Sequence, residues 1–317
     1  MDRNLRRIYL LTMEEQIIQT AVNQMSDNVA QAQESLEEAI QEHLVNSTDN
    51  NESILSPEEE ALLNQVLESE HNEIPLNSPT LLIDETTSRF TDAIWYEEIR
   101  KQHITIAGVG GIGSHVAFLV SRLKPAYITL YDPDEVETVN MSGQLYGTND
   151  IGHTKVSRIS YFMRQYSEYY STIAHQSRFV ATSVPDNILV CGFDNMSARK
   201  AAFEAWKNKL KSCRGLEDKF LFIDGRLAAE ELQVLSIQGN DERAIKEYEE
   251  KWLFDDSEAE ETVCSYKQTS FMADMIASII VNVLVNFVAN MCKPIIDRDV
   301  PFFISYDAST MFTKMRM

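Results

Sequence analysis

The feature that most constrains this chain is a glycine-rich turn in the segment ITIAGVGGIGSHVAFLV, residues 104–120. An apolar, β-branched run precedes the turn and a helical pattern follows it. The four glycines fit G-x-G-x-x-G with one extra member, and they are Gly108, Gly110, Gly111 and Gly113. Without side chains in the way, backbone N–H groups at the start of a helix can approach a phosphate or a ribose. The turn therefore predicts a nucleotide site. The alternative is a turn that serves only close packing of a helix on a strand.

Strand-like and helix-like segments alternate along the chain after residue 86. Predicted strands lie at 103–107, 127–131, 173–179, 187–191, 219–224 and 232–237, with a last strand in PFFISYDAST, residues 301–310. Predicted helices lie at 113–123, 153–168, 196–211 and 269–290. Such alternation is typical of α/β domains with parallel strands joined by helical crossovers. We therefore expect a Rossmann-like, mostly parallel sheet with flanking helices.

Acidic side chains are concentrated in the N-terminal part of the chain. The net charge is −21, and residues 1–85 hold 18 acidic and three basic side chains. Apolar or small residues recur there in steps of three and four, and SPEEE at 56–60 is typical of a helix start. We expect an acidic helical N-terminal extension over residues 1–85 and a nucleotide-binding domain over residues 86–317. The extension is interpreted either as a partly ordered, solvated segment or as an arm for dimerisation or partner docking.

The composition argues against several classes of protein. No run of about 20 apolar residues is present, which predicts no membrane span, and the longest apolar stretch, 275–288, is interpreted as a buried helix. The acidic surface disfavours nucleic acid as a partner. Four cysteines without a CxxC pair predict neither a disulfide framework nor a zinc site. We expect a reducing, cytoplasmic location.

Polar residues follow the second predicted strand. Asp132 stands 19 residues after Gly113, at the end of YITLYD, where a carboxylate can accept hydrogen bonds from ribose hydroxyls. The further polar positions are Asp134, Asn140, Gln144 and Lys155. A lysine here offsets the charge of a triphosphate and the amides orient it, whereas a dehydrogenase has no need of them. An NAD-dependent oxidoreductase is therefore disfavoured.

Four segments together resemble the ThiF/MoeB/ubiquitin-activating-enzyme superfamily. They read GVGGIGS, DPDEVETVNMSGQ, DIGHTK and DNMSAR, in the order and spacing of that family. Its members adenylate the C-terminal carboxylate of a small ubiquitin-like protein of β-grasp fold. Over about residues 86–317, the resemblance implies a ThiF-type fold, ATP and Mg²⁺ as cofactors, a small ubiquitin-like β-grasp protein as partner, and a homodimer.

The resemblance also implies roles for the matching residues of the nucleotide site. The four glycines line the nucleotide, and Asp132, next to Asp134, holds the ribose. The ATP phosphates are contacted by Asn140, Gln144 and Lys155.

Two residues of the DNMSAR segment have an alternative interpretation. The resemblance implies that Asp194 binds Mg²⁺ near the α-phosphate, whereas the position alone equally suits the N-cap of the following helix. Arg199 matches an arginine of the family. Its alternative is a surface or packing arginine.

Cys264 is the candidate nucleophile. In ubiquitin-activating and ThiF-like members, a cysteine just before the corresponding long helix often accepts the activated acyl group. A helix N-terminus lowers the pKa of a nearby thiol, and Lys267 stands three residues on. The alternative is a small buried residue that starts the helix. The charged segment 238–262 is interpreted as a linker. It lies where the family has its mobile crossover loop and, in many members, the tail of the partner; alternatively, its carboxylates are simply solvated.

One position departs from the family pattern. Gly143 stands where the family has an arginine before the glutamine. Loss of that guanidinium weakens stabilisation of transition-state charge by on the order of a few kcal/mol if nothing replaces it. Arg89, Arg158 and Arg226 are candidates to replace it. The alternative function is a catalytically degenerate nucleotide-binding scaffold or assembly protein on the same fold.

Overall fold

The computed structural model describes residues 84–255, 268–292 and 297–317. Within these residues, eight strands form one sheet: β1 His103–Ala107, β2 Tyr127–Tyr131, β3 Thr172–His175, β4 Ile188–Cys191, β5 Leu221–Ala228, β6 Glu231–Gln238, β7 Phe303–Asp307 and β8 Phe312–Arg316. The α-helices are α1 Tyr96–Ile99, α2 Gly111–Ser121, α3 Lys155–Ser167, α4 Met196–Ser212, α5 Glu242–Lys251 and α6 Ser270–Ala289. The acidic helical extension predicted for residues 1–85 lies outside the described residues except at its last two positions, so it stays a prediction.

The sheet has the order β3-β2-β1-β4-β5-β6-β7-β8. The first five strands are parallel, and β6, β7 and β8 continue the sheet in antiparallel pairs. The predicted Rossmann-like, mostly parallel sheet with flanking helices is therefore confirmed. The chain runs outward from β1 in both directions, to β2 on one side and later to β4 on the other. Ligands of open α/β sheets bind beyond the carboxyl ends of the strands at such a switch point.

Helices cover both faces of the sheet because successive strand residues point to opposite faces. In β4, Ile188 and Val190 join a cluster with residues of α2, α3 and α6. Leu189 and Cys191 join a second cluster with residues of α4 and α5. This central strand is buried along its whole length, which explains its uninterrupted apolar sequence.

Helix α6 is long and apolar enough, by length and composition alone, to cross a membrane. Its Met272, Ile276 and Ile280 side chains are nonetheless fully buried within the first cluster. Packing in the core of the domain accounts for the composition of the helix. The prediction of a buried helix over this stretch is confirmed.

Each predicted helix agrees with an observed helix to within two residues at both ends. Three other elements named above were not predicted: the one-turn helix α1, helix α5 and strand β8. Residues 242–251 form α5, so the interpretation of 238–262 as a linker is wrong there; residues 256–262 lie outside the described part. Only Ala244 and Tyr248 of α5 are buried. Because the other residues are mostly charged and exposed, the sequence shows no clear helical repeat of apolar residues. Strand β8 is exposed on both faces, so it shows no alternation of apolar and polar residues.

The start of α2 packs so closely on the preceding turn that position 113 has no room for a side chain. A Cβ atom placed on Gly113 would lie 1.8 Å from the carbonyl oxygen of Gly108. That oxygen belongs to the backbone and cannot rotate aside, so the glycine pattern has a packing role whatever else it does.

We expect Gly113→Ala to lower the free energy of unfolding by about 3 kcal/mol, because overpacking forces the backbone to shift. Gly147→Ala is the matched control, since the nearest atom to its added Cβ would be an Asp150 carboxylate oxygen 3.7 Å away. Urea unfolding followed by circular dichroism measures both variants. Equal stability of the two would contradict the close contact.

Candidate functional site

A glycine turn, residues 108–113, lies at the carboxyl end of β1. Gly108 has a φ of +84°, a conformation that favours glycine, and its N–H donates to the carbonyl of Tyr131 at the end of β2 (2.8 Å). Gly110 is the N-cap of α2 and provides no side chain to cap it. The backbone N–H groups of the first helical turn have no partner within the helix. The turn thus presents donors at the positive end of a helix dipole.

Asp132 organises this turn from the end of β2. Its Oδ2 accepts from the N–H of Val109 (2.8 Å) and its Oδ1 accepts from the N–H of Asp134 (2.9 Å). Burial raises the pKa of the carboxyl group, although the two backbone N–H groups and Lys155 act in the opposite direction. Each carboxylate oxygen has a second lone pair for a further donor. The group is therefore an acceptor suited to a hydroxyl.

Lys155 and Asn140 both have partners within the protein. The Lys155 ammonium lies 3.2 Å from Asp134 Oδ2; the lysine side chain is buried and the aspartate is exposed. Asn140 Oδ1 accepts from the N–H of Glu137 (2.8 Å), so its carbonyl oxygen holds its own turn, residues 138–142. The positive charge of Lys155 is thus partly offset by Asp134.

Two residues that the sequence did not predict fasten Gln144 beside the glycine turn. The Tyr146 hydroxyl donates to the carbonyl of Val109 (2.6 Å), and Ser114 Oγ accepts from the N–H of Leu145 (3.1 Å). Burial raises the pKa of Tyr146 well above its usual value, which keeps the hydroxyl protonated as a donor. Gln144 Nε2 lies 4.0 Å from where a Cβ on Gly110 would stand. Its Oε1 is buried without a hydrogen-bond partner among the described residues.

Gly143 faces the side chain of Gln268, which was also not predicted. A Cβ on Gly143 would lie 3.1 Å from Gln268 Oε1, and a Cβ on Gly111 would lie 2.0 Å from Gln268 Nε2. In the sequence, Gln268 is a polar residue just before a predicted helix, and it follows Gly143 by 125 positions. No local pattern indicates such a contact.

Asp194 lies in the loop after β4, next to the glycine turn. The N–H of Gly192 donates to the carbonyl of Ala107 (3.4 Å), and the ring of Phe193 lies 3.3 Å from the position of a Cβ on Gly108. The Asp194 side chain is exposed and accepts from Asn195 Nδ2 (3.0 Å).

The N-cap of α4 is Asn195, whose Oδ1 accepts from the N–H of Ala198 (2.8 Å). The interpretation of Asp194 as the N-cap is therefore wrong. Among the described residues, no group of three or more His, Cys, Asp or Glu side chains could hold a metal ion. Mg²⁺ is commonly bound by one or two carboxylates together with the phosphates of a substrate. Asp194 fits that arrangement.

Arg199 is held beneath this loop by a buried carboxylate. Asp224 on β5 accepts from Arg199 Nε (2.9 Å), Arg226 Nε (2.7 Å) and the Tyr248 hydroxyl (2.9 Å). Burial alone would raise the pKa of Asp224, but the two guanidinium groups outweigh it and the pKa lies below its usual value. Arg199 also donates to the carbonyl of Phe193. Arg199 is therefore a packing arginine, as its alternative interpretation predicts. It supports the loop that carries Asp194.

Two of the three candidates to replace the family arginine are already paired with buried carboxylates. Arg158 Nε lies 2.5 Å from the carboxylate of buried Asp150, and Arg226 is bound to Asp224. Arg89 is exposed near the start of the described residues. Cys264, the candidate nucleophile, lies outside the described residues.

Comparisons with known proteins agree with the resemblance in the sequence. The model of the ThiF family matches residues 84–317. Ubiquitin-like modifier-activating enzyme 5 of Caenorhabditis elegans is 41% identical over 61 residues, which are 19% of this chain and 15% of that protein. The Drosophila grimshawi protein of the same name is 28% identical over 133 residues, 36% of this chain and 33% of that protein. The aligned segments thus span a third or less of these relatives.

Solved structures share the fold at low sequence identity. The crystal structure of PaaA has a TM-score of 0.55 and 15% identity, covering 81% of this chain and 91% of that one. Escherichia coli MccB with ATP has a TM-score of 0.54 and 14% identity, covering 83% of this chain and 79% of that one. These likenesses concern the fold.

We expect Asp224→Asn to lower the free energy of unfolding at pH 7 by about 3–5 kcal/mol, because two buried guanidinium groups lose their counter-charge. The folded pKa of Asp224 lies below that of the unfolded chain, which is about 4. Its stabilisation is therefore complete above that pH and is lost as the pH falls through the folded pKa. The difference between wild type and variant should shrink on acidification.

Tyr248→Phe is the control for this measurement, since it removes one hydroxyl donor to Asp224 and leaves both ion pairs. A loss of about 1 kcal/mol is expected, as for one hydrogen bond. Urea unfolding of the three proteins from pH 7 to pH 3.5 distinguishes the two effects. A deficit of Asp224→Asn that is independent of pH would show that its charge is not the source of stability.

Proposed function

Because the chain belongs to the ThiF family, we propose that it binds ATP at the glycine turn and adenylates the C-terminal carboxylate of a small ubiquitin-like β-grasp protein. The observation that carries the proposal is the convergence of complementary groups at the switch point of the sheet. Backbone donors of the glycine turn lie beside the buried Asp132 carboxylate, and the loop that carries the exposed Asp194 packs on the same turn. The partner class rests on the relatives named ubiquitin-like modifier-activating enzyme 5.

The proposed reaction joins a carboxylate oxygen of the partner to the α-phosphorus of ATP. The bond from that phosphorus to the bridging oxygen breaks, and pyrophosphate leaves. The lone pairs of Asp132 accept from the ribose hydroxyls, which sets the position of the nucleoside. The N–H groups of α2, Gln144 and Lys155 bind phosphate oxygens, and they stabilise negative charge because they are already oriented.

Asp194 is proposed to hold Mg²⁺ together with the phosphates. Mg²⁺ held there would neutralise part of the negative charge that develops on the phosphate oxygens. The chain contributes the position of the carboxylate, since Arg199 fixes the carbonyl of the preceding Phe193. Asn195 donates to the same carboxylate and limits its rotation.

A second candidate function is a nucleotide-binding scaffold without adenylation. Gly143 favours it, and so does the engagement of Arg158, Arg199 and Arg226 by buried aspartates. Exchange of labelled pyrophosphate into ATP distinguishes the two functions, because exchange requires that the acyl adenylate forms reversibly. An adenylating enzyme therefore catalyses the exchange in the presence of its carboxylate substrate. A scaffold binds ATP without exchange.

Further parts of the proposal rest on the sequence. A homodimer in the cytoplasm is proposed. The described cysteines, Cys191, Cys213 and Cys292, are free thiols. The acidic extension, residues 1–85, is proposed as a helical segment outside the nucleotide-binding domain. Transfer of the acyl group to Cys264 is proposed as a second step, in which the thiolate sulfur displaces AMP from the adenylate.

We expect Asp194→Asn to weaken binding of ATP in the presence of Mg²⁺ at least tenfold, because a neutral amide is a poor ligand for a hard cation. Calorimetric titration with ATP and Mg²⁺, beside NAD, measures the effect. Asp218→Asn, which neutralises an exposed carboxylate beyond the other end of α4, is the matched control and should bind ATP as wild type does. Binding of NAD in preference to ATP would overturn the proposal.

We expect Cys264→Ala to retain pyrophosphate exchange while losing any thiol-sensitive adduct with the β-grasp protein that supports exchange. Cys213→Ala, at the C-cap of α4, controls for loss of a thiol as such. Non-reducing electrophoresis before and after treatment with a thiol reductant detects the adduct. An adduct that survives Cys264→Ala would exclude this cysteine as the acceptor.

A further inference from the structure

The backbone of Gln268 is anchored apart from the glycine turn. It forms a bridge with Ala229, just after β5, and precedes the first residue of α6 by two positions. The side chain reaches from this anchor to the first residue of α2. The placement of the carboxamide is therefore a consequence of tertiary structure.

The Gln268 carboxamide occupies a space that exists because two positions are glycine. At Gly111, a Cβ would stand 2.0 Å from Nε2 and 2.2 Å from Oε1, both far inside contact distance. At Gly143, a Cβ would stand 3.1 Å from Oε1 and 3.2 Å from the Gln268 Cβ. Any longer side chain at position 143 would compete with Gln268 for the same volume.

The Gln268 side chain is half-buried, and its carboxamide has hydrogen-bonding groups that no other described residue uses. No hydrogen bond joins it to another residue within the described part of the chain, and an amide carries two N–H donors and one acceptor oxygen. Gln144 Nε2 faces the adjacent Gly110, and Gln144 Oε1 lacks a partner there as well. Two carboxamides thus flank the N-terminus of α2, where backbone donors and the helix dipole favour an anion.

We infer that Gln268 is a further phosphate-binding residue of the nucleotide site, with its carboxamide donating to the polyphosphate in the volume that Gly143 leaves open. This inference rests on the proposed binding of ATP. In this arrangement, Gly143 leaves the space that the Gln268 side chain occupies. The site binds triphosphate with oriented neutral donors in addition to Lys155, whose own charge is partly offset by Asp134.

An isosteric substitution separates binding from packing. Gln268→Glu keeps the shape of the side chain and replaces its donor with an anionic oxygen that repels phosphate. We expect it to weaken ATP–Mg²⁺ binding at least tenfold in calorimetry, whereas Gln268→Ala weakens it about threefold to tenfold. Gln165→Glu, on the exposed face of α3, makes the same change of net charge and should leave affinity within twofold of wild type. Thermal unfolding verifies that each variant folds.

Restoring a guanidinium provides a second readout. Gly143→Arg alone should weaken ATP binding, because its side chain meets Gln268. The double variant Gly143→Arg with Gln268→Ala should bind ATP more tightly than either single variant. If Gly143→Arg alone binds ATP more tightly than wild type, the two side chains do not share one volume and the inference fails.

Two other outcomes overturn the inference. Wild-type affinity in Gln268→Glu would mean that the side chain only packs, and tighter binding in Gln268→Ala would mean that it covers the site and competes with ATP. Both outcomes leave the proposed function intact, since ATP still binds. A folded wild-type protein that does not bind ATP would instead overturn the proposed function and this inference together.

Discussion

A buried carboxylate between two guanidinium groups supports the part of the domain that carries the candidate site. Asp224 lies within the sheet, and its partners come from α4, from β5 itself and from α5. A charge removed from water is tolerated only when it is paired and hydrogen-bonded, so the network admits few alternative arrangements. Through Arg199 it reaches the carbonyl of Phe193 and thus the loop that presents Asp194. Asp194, an exposed residue of the candidate site, is thus positioned by the buried Asp224 and Arg199, which do not face a ligand themselves.

The distribution of positive charge around the glycine turn follows from these structural demands. Arg158, Arg199 and Arg226 are each bound by a buried aspartate, and Lys155 lies beside Asp134. Attraction for the proposed triphosphate would therefore depend largely on dipoles, namely backbone N–H groups and carboxamides. Dipoles that are fixed in advance stabilise charge without the reorganisation that water requires. In the proposed reaction, the absence of an arginine at position 143 would change the kind of group that stabilises negative charge.

Local sequence was sufficient for the elements that surround the switch point. The glycine turn, β1 and β2 were predicted because their signals lie within a few neighbouring residues. The contact between Gly143 and Gln268 was not predictable, since it joins positions 125 residues apart and leaves no periodic trace. The role of Arg199 was likewise open, because the sequence does not show that Asp224 lies beneath it. Residue type and spacing indicate which chemistry is present, and only packing decides which groups are already engaged.

Strand β8 ends the sheet with an edge whose five residues are all exposed. Phe312 and Met315 there present apolar surface, while Lys314 and Arg316 supply the charges that natural edge strands use against edge-to-edge pairing. At neutral pH the net charge of −21 also opposes non-specific aggregation of the protein by mutual repulsion. This repulsion vanishes near the isoelectric point of about 4.7. The colloidal stability of the protein should therefore be lowest in mildly acidic buffers, where open sheet edges can meet while the fold is still intact.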